Sequence, residues 1–473
     1  MLTIAYPRPA DFLAGVPFDC EIDPKLVRMD EVLDDPKLML AVTNDLARSA
    51  PQSLWNGRRS TPVEVTLRVA VARRLMSWAY RPAEMEVAGS AKWRWFCRLY
   101  SQPVPDHSTL RDREALIRPV TLQRVNARLM KLSVEWGLTR GEKLRSDSTV
   151  METHIHYPTD SRLLADSVRV LGRSLARARR LLPPAKTDKP LFRNRHRQAR
   201  RLAREIAQRL RGKNGTKQPE KRAQRLYRQL VEVTQTTVAQ VEAVLVRLKP
   251  KANRSAQALT ASLQHYLPLV RQVIAQTRRR VFEGESVPAS EKLVSLFEAH
   301  TAVIRRGKTP PRETEFGRKI WYSEVEGGLI SEYRLLKGNP PDDQPWATSV
   351  RHHIKLFGHP PRLATADRGV FSPANEQLAS AAGIEQVALP QPGHKDEARA
   401  DHEAQPWFRA ALRFRAGIEG RISQLRRARR LDRCRNRGEP GLERWLGWGV
   451  IANNLVVIAT RLARRQHRKV AHS

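Results

Sequence analysis

The order of apolar and polar positions changes character three times along the chain. From about Asp30 to Glu135 apolar residues recur at helical spacing. Pro62 to Tyr80 is the clearest case, with Val65, Val69, Ala72, Leu75 and Met76 on one face and Pro62 at a first-turn position. Trp93, Trp95 and Phe96 form an aromatic cluster, after which Pro105 and Asp106 supply a turn and an N-cap for a helix running through Arg113 and Leu116. Short helices, tight turns and basic faces are what a helix-turn-helix-like DNA reader needs; a small bundle that only supports a neighbour has the same pattern. At Lys143 the period shifts. Leu144 to Ile155 alternates and is rich in β-branched residues, which predicts a strand.

Strand signal then disappears from Asp160 to about Ala299, where the pattern is helical. Leu226, Leu230, Val233, Val241, Val244 and Leu248 mark one helix of a pair, and Leu259, Leu263, Tyr266, Val270, Val273 and Val281 the other, with a break around Lys249 and Pro250. Asp160 and Asp166 read as caps or solvated acids at the start of this stretch. Alternation resumes at Arg318 to Val325 and Leu329 to Leu336, joined by Gly327 and Gly328 as a β-hairpin. A helix from Trp346 to Phe357, a strand ending at Asp367, a helix from Pro373 to Ala382, a strand near Val387 to Leu389 and a helix containing Phe414 to Arg430 complete the series. Strand, insertion, hairpin, helix, strand, helix, strand, helix is the element order of a ribonuclease-H-like domain with a long insert after its first strand.

Charge narrows the choice of partner. Among 473 residues, 85 Lys and Arg face 48 Asp and Glu, a formal net charge of +37. Between Arg169 and Arg228 there are 21 cations and only three acids, Asp188, Glu205 and Glu220. Clustered cations gain affinity for a polyanion through counterion release, so DNA is the expected partner and the Arg-rich insert its clamp. A membrane surface would use the same charges, but the longest apolar run, Trp445 to Leu462, is interrupted by Asn453, Asn454 and Arg461 and reads as a buried helix. The N-terminus has no charged segment followed by a long apolar run, which predicts a cytoplasmic protein, and DNA as partner makes it nucleoid-associated. Cys20, Cys97 and Cys434 fit neither a disulfide framework nor zinc, and His154, His156, His352 and His353 lack a tetrahedral complement.

Phosphodiester cleavage by two metal ions needs carboxylates converging from different elements. Asp147 in the first predicted strand, Asp367 at the end of a later one and Glu419 in the closing helix are placed to do this, since the first and fourth strands of a ribonuclease-H-like sheet are neighbours. Arg415, Glu419 and Arg426 are spaced to share a helix face. Such a face can hold a metal while its arginines grip phosphates, or it can be an intrahelical salt-bridge ladder.

At these residues the sequence resembles the DDE transposases of bacterial insertion sequences, specifically the ISNCY-type group related to the InsH-like enzymes. The resemblance is carried by TPVEVTLRVAVARRLMSW and VPDHSTLRDRE in the front, SDSTVMETHIHYPTDSRLLADSVRVL at Asp147, TEFGRKIWYSEVEGGLISEY in the hairpin, ATADRGVFSPANEQLA at Asp367 and RFRAGIEGRISQLRR at Glu419. It implies an α+β chain in which an all-α helix-turn-helix-like N-terminal DNA-binding domain (1–138) precedes a ribonuclease-H-like catalytic domain (139–470) carrying a basic helical insertion (160–299). It also implies that Asp147, Asp367 and Glu419 bind two Mg²⁺ ions, with Mn²⁺ as a substitute. Around the glutamate, Arg415 and Glu419 match the family's Tyr, Arg, Glu, Lys signature, while Leu412 takes the tyrosine place and Arg426 the lysine place. The implied activity is hydrolysis at the ends of an element, followed by attack of the freed 3′ hydroxyl on target DNA. Its partners are then double-stranded DNA, at element ends and target, and further copies of the chain in a homodimer or higher oligomer on DNA. Arg193, Arg195, Arg197, Arg200 and Arg201 in the insert, with Arg415 and Arg426, are the expected DNA contacts. A nuclease without strand transfer, or an inactive DNA-binding derivative, shares much of this pattern.

Overall fold

The computed structural model describes residues 1–15, 21–49, 51–54, 56–57, 59–182, 192–210, 221–248, 253–305 and 314–470. Cys20, Asp188, Glu220 and the expected break at Lys249 and Pro250 lie outside them. In chain order the helices of the front are α1 (Pro24–Leu33), α2 (Pro36–Ser49), α3 (Val63–Leu75), α4 (Tyr80–Ala88), α5 (Ala91–Phe96), α6 (His107–Leu116) and α7 (Pro119–Glu135). They are followed by β1 (Lys143–Glu152), α8 (Asp160–Leu181), α9 (His196–Arg209), α10 (Lys221–Leu248), α11 (Arg254–Val281), β2 (Ala302–Arg305), β3 (Thr314–Val325) and β4 (Leu329–Leu335). The remainder is α12 (Trp346–Phe357), β5 (Leu363–Ala366), α13 (Pro373–Ala381), β6 (Gln386–Ala388), α14 (Glu397–Ala404), α15 (Pro406–Ala428) and α16 (Glu439–Val470). The chain is α+β, and it divides into two compact units, one of residues 1–152 with 319–473 and one of residues 153–318.

In the first unit the sheet runs β4-β3-β1-β5-β6, with β1 parallel to β5, β5 parallel to β6, and the β3–β4 hairpin antiparallel. Gly327 and Gly328 turn that hairpin at φ of +92° and +81°, a backbone region that β-carbons disfavour. Alternation along β3 sends Ile320 and Tyr322 to a core shared with α15 and α16, and Trp321 to one shared with α12 and α13. Helices α1 to α7 share a further core with Val325, Leu329 and α16. α16 contains a window apolar and long enough to cross a membrane, of which 72% is buried within the protein, as in the core helix of a soluble protein.

The one-sided pattern expected for α3 is not what is found. Every residue from Val63 to Arg74 is buried, and Pro62 is the N-cap rather than a first-turn residue. Buried arginines are tolerated because each has partners: Arg68 pairs with Asp30 and Asp34 at 2.6 Å, and Arg73 with Glu114 at 2.9 Å. Arg74 donates to the Arg429 carbonyl at 2.7 Å and lies 3.8 Å from the Trp445 ring; burial lowers its pKa to about 9. Asp106 does cap α6, accepting from the Ser108 and Thr109 amides.

The second unit packs α8, α9, α10 and α11 around one core of Leu, Val and Ile side chains. β2 pairs antiparallel with residues Thr314 to Gly317 of β3. Asp160 departs from its expected role. Thr159 caps α8, while Asp160 is buried and pairs with Arg280 of α11 at 2.5 Å, a partner 120 positions away that local spacing cannot reveal.

Candidate functional site

The last parallel pair between β1 and β5 is Ser146 with Ala366, so Asp147 and Asp367 are the next residues on two neighbouring strands. Asp147 is half-buried and accepts the Ser148 amide at 2.6 Å. Burial pushes its carboxyl up to about 6; the Asp367 and Asp342 charges push the same way, against the Ser148 hydrogen bond and the Arg415 charge. Asp367 directly follows β5 and accepts from the Arg368 amide at 2.8 Å, which fixes one oxygen at the start of a short 3₁₀ turn.

α15 packs on both strands. Its approach to β1 depends on Gly417, where a β-carbon would meet the Arg145 guanidinium. Arg145 donates to the Phe414 carbonyl, lies 4.6 Å from the Phe414 ring and pairs with Glu324 of β3 at 2.8 Å. Arg421 of α15 reaches the same Glu324 at 3.2 Å. Glu324 is fully buried, so this carboxylate between two arginines ties β1, β3 and α15 together.

On the outer turn of α15, Arg415 Nη2 donates to Glu419 Oε1 at 3.1 Å, and its Nη1 lies 3.7 Å from Asp367 Oδ1. The salt-bridge reading of this helix face therefore holds for Arg415 and Glu419. Glu419 is 65% exposed and engaged with Arg415. Arg426 is half-buried and its charge is felt by the buried Tyr322. Leu412 is partly buried beside Phe408 and Ala411, and lines a cleft of about 380 Å³ with Asp367, Arg368, Lys395 and Arg415.

Among the described residues, no group of three or more His, Cys, Asp or Glu lies close enough together to hold a metal ion. The donor chemistry at Asp147 and Asp367 nevertheless suits a hard divalent cation, since Mg²⁺ and Mn²⁺ take carboxylate oxygens and would relieve the repulsion between neighbouring carboxylates. Asp342 is the acid that sequence reasoning missed. It sits in the loop before α12, pairs with Lys319 at 3.0 Å and lies against Gly369, two residues beyond Asp367. Neither periodicity nor motif marks the Pro340 to Asp343 loop; only the fold brings it here.

The insert arginines occupy α9 and the residues before it. Ala199, Leu202 and Ile206 bury one face of α9, which leaves Arg197, Arg200 and Arg201 exposed on the others. Arg193 is exposed as well, Arg195 donates to Gln240 at 3.1 Å, and Arg201 lies 3.8 Å from Glu205.

Comparison with curated proteins and with solved structures gives no match. Residues 18–113, which include helices α1 to α5, match the family model described as Transposase domain (DUF772), and this match supports a transposase, with DNA as its partner.

Proposed function

We propose that the protein is a DDE transposase that binds the ends of an insertion sequence, cleaves phosphodiester bonds there and joins the 3′ hydroxyl ends to target DNA. The observation that carries this reading is the meeting of Asp147 and Asp367 on adjacent parallel strands, with α15 and its Arg415 and Glu419 packed across both. Two further features support it. The strand order β4-β3-β1-β5-β6, with the hairpin antiparallel and β5 and β6 parallel to β1, is the order expected of a ribonuclease-H-like sheet. The transposase-domain match falls in the helical front, where the helix-turn-helix-like reader is proposed.

Asp147, Asp367 and Glu419 would hold two Mg²⁺ ions, or Mn²⁺ in their place, and bound metal supplies charge neutralisation at the scissile phosphate. Arg415 has a positioning part. It engages Glu419 and lies beside Asp367, and a DNA phosphate in the adjoining cleft competes for the same guanidinium. Passing Arg415 to the phosphate leaves Glu419 to join the aspartates. Arg426 and the insert residues Arg193, Arg195, Arg197, Arg200 and Arg201 grip the DNA backbone outside the scissile bond. The working assembly is a homodimer or higher oligomer on DNA, in the cytoplasm and its nucleoid.

The test is incubation of the purified protein with a labelled duplex carrying the element's end, a supercoiled target plasmid and Mg²⁺. The reading expects nicks at the element end that expose a 3′ hydroxyl, and end–plasmid joints. Nicks without joints would make it a nuclease, and products that persist in EDTA would overturn the metal-dependent mechanism.

A further inference from the structure

A cavity of about 180 Å³ opens in the second unit, formed by the start of α8, the end of α11, the segment after it and the β2–β3 pair. Three cations line it from three separate segments: Arg280 of α11, Lys292 and Arg305 at the end of β2. Asp160 is the carboxylate among its described lining residues, and its side chain is 8% exposed and held by Arg280. One acid thus faces three cations. Gathering like charges in a half-enclosed space costs stability unless an anion joins them. Lys292 responds to this setting: its pKa is lowered by burial first and then by the Arg280 and Arg305 charges, against the Asp160 charge.

The remaining lining suits a phosphoryl group attached to something larger. The space corresponds to roughly six waters at ~30 Å³ each, enough for a phosphate with part of its sugar. The first turn of the 22-residue helix α8 borders the cavity at Thr159 and Asp160, so the positive end of the helix dipole adds to the cations. At the rim, Tyr157 is 73% exposed, its ring set edge-on to Phe316 at 5.6 Å between centroids. An exposed aromatic beside a cationic hollow is the pairing that binds a base or sugar next to its phosphate.

We propose that this cavity is a phosphate-binding pocket that seats one backbone phosphate of DNA on Arg280, Lys292 and Arg305, with Tyr157 against the neighbouring sugar or base. The proposal rests on the reading of the chain as a DNA-acting protein, and adds a contact distinct from both the acidic site and the α9 arginines.

The test replaces Lys292 and Arg305 together (K292Q/R305Q), a change that leaves the Arg280–Asp160 pair intact. Affinity for an element-end duplex is measured across a salt series without divalent metal, so that cleavage plays no part. Removing one phosphate contact lowers the log–log slope by ~0.9, about eight-fold in affinity at 0.1 M salt. In the wild-type protein, acylation of Lys292 is followed with and without the duplex, which probes the pocket with no substitution at all. A reduced slope with Lys292 protected by DNA supports the pocket. An unchanged slope with Lys292 equally reactive overturns it while leaving the transposase reading in place. Calorimetric binding of inorganic pyrophosphate, abolished in the variant while the DNA slope is unchanged, assigns the pocket to a free ligand and overturns the DNA assignment. A wild-type protein that binds no duplex overturns both readings.

Discussion

Replacing Asp147 by Asn should make the metal-free protein more stable at pH 8, while removing its cleavage. In the folded protein this carboxyl titrates at about 6 against an ordinary value of 3.8, chiefly because it is removed from water and secondarily because Asp367 and Asp342 repel its charge. An acid whose folded pKa lies above its unfolded one binds its proton more tightly in the native state. Its ionisation therefore costs nothing below about pH 3.8, costs progressively more as pH rises towards 6, and costs the full amount above that. The difference between 3.8 and about 6 corresponds to about 3 kcal/mol, which solvent screening of this partly exposed group reduces to roughly 1–2 kcal/mol. Asparagine keeps the shape and the acceptor for the Ser148 amide without the charge. Thermal unfolding in EDTA at pH 8 should accordingly show the variant melting about 1–3 °C higher, with the gap closing as pH falls towards 4. An Asp147→Asn protein no more stable than wild type at pH 8, or a gap that widens on acidification, would refute the account of this carboxyl as a strained member of an acidic site.

Other expectations follow from the same structure. Glu324→Ala should cost about 3–5 kcal/mol in urea unfolding, because it leaves Arg145 and Arg421 facing a buried void without their carboxylate. Gly417→Ala should destabilise by about 1 kcal/mol net: the methyl gains up to ~1 kcal/mol in helix propensity but displaces an Arg145 side chain pinned by Glu324 and the Phe414 carbonyl, an overpacking of ~1–3 kcal/mol. Neutralising Arg193, Arg195, Arg197, Arg200 and Arg201 together should flatten the salt dependence of DNA binding by ~0.9 for each phosphate no longer neutralised, read from affinities over a salt series; parallel lines would mark α9 as a solvated face. Ca²⁺ should support binding of element-end DNA but not its cutting, since Ca²⁺ accepts looser geometry than Mg²⁺.

Element order was legible because each strand and helix carries its own period. The paired glycines at 327 and 328, the cap at Asp106 and the abrupt change of period at Lys143 are local signals, and each has its counterpart in the structure. The juxtaposition of Asp147 and Asp367 was legible too, since it follows from strand order. What stayed hidden depends on partners far along the chain. The one-sided spacing of α3 does not foretell that its arginines are buried, which Asp30 and Asp34 at the end of α1 and Glu114 of α6 allow. Asp160 reads as a cap or a solvated acid until α11 brings Arg280 to it. Asp342 lies in a proline-bounded loop with no period at all, and Arg415 could be placed beside Glu419 by spacing but not beside Asp367.

The most direct test of the central claim is Mg²⁺-dependent cleavage of element-end DNA by the wild-type protein and by Asp147→Ala, Asp367→Ala and Glu419→Ala, at protein concentrations that saturate the DNA. In the proposed mechanism binding draws on dispersed cations and chemistry on three carboxylates, so each variant should retain the duplex and lose cleavage by a factor on the order of 10³ or more, about 4 kcal/mol of barrier. Near wild-type cleavage by any one of the three would remove that residue from the site, and cleavage by all three would contradict the account.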